Sequence, residues 1–163
     1  MIYAKTALEG YTKVEDVIEI MDESFLKKAI VPYGRYKTAE KQAEELIGLI
    51  EKKKRLIAFY SDITTAVHGL KSEHRRLLEE KYGMVGGGVS DEQNRNYYRK
   101  LLLATRKFAL QMEELGYDEE KYQSLIKEFY FLDEIYYDKK RKERPERKIG
   151  VLHNLAGESL KDC

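Results

Sequence analysis

The residues best suited to chemistry lie between 94 and 107: Asn94, Arg95, Asn96, Tyr97, Tyr98, Arg99 and Lys100, then Arg106 and Lys107. At 100° per residue on a helix, Arg95, Arg99 and Arg106 fall within about 40° of one another. Asn96, Lys100 and Lys107 form the adjoining strip. Cations in such a row contact phosphates, and Asn or Arg can read base edges. A place near a helix N-terminus suits a helix that enters a groove of duplex DNA. The candidate nucleic-acid-binding residues are therefore Arg95, Asn96, Tyr98, Arg99, Lys100, Arg106 and Lys107. The same row also fits a solvated helix face whose arginines pair with neighbouring Glu.

Other chemistry finds little support. His68 and His74 are six residues apart, which on a helix sets them on different faces, and His153 is far away. They lack the i,i+4 spacing of a helical metal pair, and the single cysteine, Cys163, cannot complete a thiolate site. His74 continues an apolar line four residues past Leu70 and reads as a half-buried structural side chain. The acidic pairs Glu44/Glu45, Glu79/Glu80, Glu113/Glu114 and Glu119/Glu120 read as solvated helix faces, with no Glu-x-x-His motif for a di-metal bundle. Gly86, Gly87 and Gly88 are not followed by the Lys-Ser/Thr of a phosphate loop and read as a connector. No nucleophile motif is present. The chain reads as a non-enzyme without metal or cofactor.

Charge is spread unevenly. The net charge is +1, with 36% of the 163 residues charged. Residues 139–148 nonetheless hold seven Lys or Arg against two Glu, a local +5. A basic end on a near-neutral body can mark a nucleic-acid or membrane-surface contact, and solvated helix ends look the same. A lone cysteine permits no internal disulfide and fits a reducing compartment. No signal-peptide core opens the chain, and no run reaches the roughly 18–20 apolar residues of a membrane span. These features predict a soluble, cytoplasmic protein.

The elements that must position the basic row are helical. Leu46, Leu49, Leu56, Tyr60, Ile63, Val67 and Leu70 recur at heptad spacing, with Lys53 filling one slot at a bundle edge. Thr38 predicts an N-cap, so one helix runs from 38 to about 70 as the spine of the fold. Ile47, Ile50 and Ile57 would widen its stripe, and Glu51–Arg55 would pair along its surface. Before it, residues 1–11 read as an extended arm. Thr12 and Glu15 read as a capping box for a helix over 13–29, which stops at Pro32 and Gly34. After the spine, Gly69 reads as a hinge and Ser72 as the cap of a short helix over 73–82, with Leu77 and Leu78 inward. Ser90 or Asp91 would cap the next helix, whose seam is Tyr98, Leu101, Thr105, Phe108, Met112 and Leu115 and whose stop is Gly116. A last helix opens at Asp118 and carries Tyr122, Leu125, Phe129, Leu132 and Tyr136.

Two stretches carry a resemblance. Leu70 to Gly83, Leu-Lys-Ser-Glu-His-Arg-Arg-Leu-Leu-Glu-Glu-Lys-Tyr-Gly, resembles the helix that opens region four of sigma factors. Asn94–Lys100 and the helix to Gly116 resemble the helix after the turn in sigma-like, ArpU-type phage-related regulators of Firmicutes. The openings Met1–Thr6 and Thr38–Ala43 are similar to small proteins of the same group. The resemblance implies a DNA-binding transcriptional regulator with Arg95, Asn96, Tyr98, Arg99 and Lys100 along the DNA. The chain departs from the sigma pattern between Tyr82 and Ser90. Gly83 to Val89 is too short for the helix and turn expected there.

The expected fold is all-α, a helical bundle of about five helices in which a long coiled-coil-like helix packs with a helical hairpin over 90–138. A single helical domain covers 1–138, and 139–163 form a basic C-terminal extension. The expected function is a sigma-like nucleic-acid-binding regulator whose partners are double-stranded DNA or the transcription machinery. The alternative is a non-enzymatic helical scaffold that uses its heptads to bind partner helices or to form a homo-oligomer, away from any membrane.

Overall fold

The computed structural model describes residues 1–30, 38–84 and 95–143. Several expectations lie outside them: the loop at 31–37, the glycine connector with the Ser90 and Asp91 caps, Asn94, and everything from 144 onward, with His153 and Cys163. The described residues are all-α, with seven helices and no strand. These are α1 (Ile2–Tyr11), α2 (Val14–Ile30), α3 (Ala39–His68), α4 (Ser72–Tyr82), α5 (Arg95–Glu114), α6 (Glu119–Glu128) and α7 (Tyr130–Glu143).

Local chemistry sets several boundaries where the sequence predicts them. Thr38 caps α3 by accepting the Lys41 N–H at 3.3 Å, and Asp118 caps α6 by accepting the Lys121 N–H at 2.8 Å. Gly83 ends α4 at φ 65°, and Gly116 follows α5 at φ 89°. At Gly116 the stop is a Schellman turn. The Gly116 N–H bonds the Glu113 carbonyl and the Tyr117 N–H reaches back to Met112, with Tyr117 and Met112 both buried beneath it. Gly69 terminates α3 as its C-cap. Ser72 is the first residue of α4 rather than its cap, which falls at Lys71.

Residues 1–11 are not an extended arm. They form α1, and Ala4, Thr6, Ala7, Leu8 and Gly10 are all buried. The segment's small residues let α1 lie close to its neighbours: a Cβ built on Gly10 would sit 2.6 Å from Leu132 Cδ2 of α7. Thr12 belongs to the end of α1. Its hydroxyl donates to the Glu9 carbonyl, so it does not form the expected capping box with Glu15.

The spine is present, but its buried face differs from the predicted one. Leu56, Ile63 and Val67 are fully buried, whereas Leu46, Leu49, Tyr60 and Leu70 are half-buried. Phe59 and Ala66, which the heptad left out, are core residues. This half of α3 meets α1, α4 and α5 together, so its apolar face is wider than a two-helix seam. Tyr60 moves to the edge and stacks on Tyr11, with ring centroids 4.5 Å apart. The expected widening by Ile47, Ile50 and Ile57 does not occur. All three are exposed, and before Leu56 the helix buries only Gln42. Gln42 donates to the Lys28 carbonyl at 2.7 Å, and Lys53 pairs with Asp22. Arg55 does not pair with Glu51. It forks onto Glu128 of α6, its Nε lying 2.9 and 3.1 Å from the two carboxylate oxygens.

The last predicted helix is two. Phe129 takes an extended conformation, φ −114° and ψ 108°, between α6 and α7. Its N–H still bonds Leu125, and its carbonyl accepts the N–H groups of Leu132 and Asp133, so one residue closes α6 and opens α7. Neither Gly nor Pro marks the break. Phe129 is itself a seam residue, buried with the Lys52 ammonium over its ring, and the apolar spacing runs straight through it. The bend carries α7 across α1, where Tyr3 stacks between Tyr122 and Tyr136.

Candidate nucleic-acid interface

The basic row sits on α5, which is held by α4, α3 and α1. Ala104, Thr105, Phe108 and Met112 form its inward face. Leu101 is half-buried. The predicted seam ends, Tyr98 and Leu115, are exposed instead. Opposite the core, Arg95, Asn96, Arg99, Lys100, Arg106 and Lys107 are all exposed. All seven predicted residues therefore reach the surface, six on the polar side and Tyr98 beside Tyr97 in an edge-on ring contact.

Charge pairing divides the row. Lys100 reaches back to Glu73 at the start of α4, 2.9 Å away. The hydrogen bond and the charge of Lys100 hold the Glu73 carboxyl below its ordinary range. Among the described residues, Arg95, Arg99, Arg106 and Lys107 make no ion pair. The outer face is not purely polar: Leu102, Leu103 and Leu110 are exposed between the cations.

The described start of the second basic segment, residues 139–143, is tied to the neighbourhood of Tyr82 and Glu9. Tyr82, which closes α4, is half-buried, and its phenol is pushed up to about 12 by that burial and by the nearby Glu9 and Tyr97. Glu9, at the end of α1, is in turn the ion-pair partner of Lys139 of α7. The start of α5 and the basic end of α7 are thus linked through Tyr82 and Glu9. The sequence carried no sign of this link: Tyr82 stood only at the end of the short 73–82 helix, and Glu9 belonged to no motif. Most of the described α7 cations are engaged: Lys139 with Glu9, Lys140 over the Tyr136 ring at 5.6 Å, and Arg141 with Asp138 at 2.9 Å. α7 continues as helix through Glu143.

His68 is exposed and His74 half-buried. Among the described residues no three His, Cys, Asp or Glu side chains converge as a metal site. A cleft between the start of α1, the end of α5 and the start of α6 is lined by Tyr3, Glu113, Tyr117, Glu119 and Tyr122. Its polar groups are largely committed to the fold: Tyr3 donates to Glu119 and accepts from Gln123, and Tyr117 donates to Asp62 at 2.6 Å. No helix among the described residues is long and apolar enough to cross a membrane. The chain matches no known family model, no curated protein and no solved structure.

Proposed function

We propose that this protein binds nucleic acid through the outer face of α5, as a sigma-like transcriptional regulator. The observation that carries the reading is the set of four exposed cations, Arg95, Arg99, Arg106 and Lys107, that no carboxylate of the described fold neutralises. Cations left unpaired on one helix face are suited to displacing counterions from a phosphate backbone. On this reading Asn96, in the first turn, meets base edges, while Lys100 already spends its charge on Glu73.

Four phosphate contacts predict a log–log salt slope of roughly −3.6 on duplex DNA, about 0.9 per contact. Fluorescence anisotropy with a labelled duplex over a salt series measures it. Replacing Arg99 by Ala is expected to lower the slope by about 0.9 and weaken binding on every sequence alike. Absence of binding at low salt refutes the reading.

A second reading, a helical scaffold that binds partner helices, is favoured by the exposed Leu102, Leu103 and Leu110 within the same face. It predicts no affinity for duplex DNA and loss of partner capture with Leu110→Glu.

A further inference from the structure

We infer that the nucleic acid taken by the outer face of α5 carries unpaired bases beside its duplex, and that Tyr98 and Leu102 hold those bases. The inference rests on the reading of α5 as a nucleic-acid-binding face and names the strand form that face selects. Tyr98 is 51% exposed and Leu102 42%, so the fold leaves two large apolar groups in water at the start of the basic row. On the helix they stand about 40° apart, and Arg106 continues the ridge by about another 40°. Arg95 lies about 60° from Tyr98, and Arg99 about 60° from Leu102. The apolar ridge therefore runs along the margin of the cations, between them and the core face of Ala104, Phe108 and Met112.

Charge and shape together select the occupant. Among the described residues Arg95, Arg99 and Arg106 make no ion pair, so a complementary ligand is anionic. It also offers an apolar surface to a phenol ring and a leucine. A closed duplex meets the first demand but keeps the flat faces of its bases within its own stack. An unpaired strand meets both, because it joins phosphates to free base faces, and every base has a face that an aromatic ring can stack on. Tyr98 is braced for this. The half-buried Tyr97 meets its ring edge-on, with centroids 5.7 Å apart and planes at 78°. A ring held before binding loses less freedom when a base settles on it. Tyr98 and Leu102 are separated by about 6 Å along the axis, and successive bases by about 3.4 Å, so the ridge takes about two bases.

Fluorescence anisotropy of the full chain at one low salt concentration tests this with labelled probes. The probes are a blunt duplex, the same duplex with two unpaired nucleotides at its 3′ or its 5′ end, and the same overhangs built from abasic nucleotides. The abasic overhang keeps every phosphate and lacks the bases, so charge and stacking separate. An overhang of at least one polarity is expected to bind at least about fivefold tighter than the blunt duplex, and its abasic counterpart to lose that gain. Tyr98→Ala is expected to abolish the gain, and Tyr98→Phe to keep it, since the ring carries the contact. The abasic probe makes the same test on the parent chain, so the result does not depend on how Tyr98→Ala folds. Equal affinity for the blunt duplex and both overhangs overturns the inference and leaves the duplex reading standing. So does a gain that survives in the abasic overhang or in a folded Tyr98→Ala chain. Absence of binding to every probe overturns the inference together with the reading it rests on.

Discussion

The close crossing of α1 and α7 gives the sharpest test of the fold. Gly10 lies in the last turn of α1, a position where helix propensity alone favours Ala by about 1 kcal/mol. The crossing opposes that gain. The added methyl would stand 2.6 Å from Leu132 Cδ2 and 3.4 Å from Phe131 Cε2. Leu132 is 1% exposed, so its methyl has no free volume to enter. Overpacking of this kind costs about 1–3 kcal/mol. Gly10→Ala is thus expected to destabilise the protein by about 1 kcal/mol net, a fall in Tm of roughly 2–4 °C for a chain of this size. The sign should reverse when space is made. Leu132→Ala alone is expected to cost about 2–5 kcal/mol. In that background Gly10→Ala meets a void, and the propensity gain of about 1 kcal/mol emerges. The double-mutant cycle therefore predicts a favourable coupling near 2 kcal/mol, well above the roughly 0.5 kcal/mol scatter of independent sites. Urea unfolding followed by circular dichroism measures all four corners. An additive cycle, or a Gly10→Ala single variant more stable than the parent, refutes the packing of α1 on α7.

Two further outcomes concern tyrosines. The Tyr122 hydroxyl is buried without a hydrogen-bond partner, which costs about 1–3 kcal/mol, so Tyr122→Phe is expected to raise stability by about 1 kcal/mol in urea unfolding. Loss of more than that amount in the same assay would show that the hydroxyl is satisfied. Tyr82 holds its proton to about pH 12 in the folded state, against about 10 in an unfolded chain. Between those values the unfolded state has released the proton and the folded state has not, so stability falls as pH rises, by up to about 1.4 kcal/mol per unit. Below that window Tyr82 contributes no pH dependence. Tyr82→Phe is expected to flatten the alkaline limb of a Tm-against-pH curve; an unchanged limb refutes the assignment.

What the sequence by itself determined is mostly local. Thr38, Asp118, Gly83 and Gly116 set helix ends because capping hydrogen bonds and left-handed φ values involve residues within five positions of each other. The all-α class follows from heptad spacing, and the outward basic row of α5 from the angle between its residues and the apolar seam. The tertiary structure decided everything that depends on what lies opposite. Residues 1–11 offer too little periodicity to announce a helix, and α1 is core because Ala4, Ala7 and Gly10 fit under larger neighbours. Phe129 breaks a helix without Gly or Pro because the bend buries its ring and satisfies its backbone on both sides. Arg55 chose Glu128, 73 residues away, over Glu51 of its own helix, and Lys100 found Glu73, 27 residues away on α4. Burial and charge pairing are properties of the partner surface, and a periodicity states only that a face is apolar. It leaves open whether that face is covered, as at Phe59, or stays exposed, as at Ile50 and Ile57.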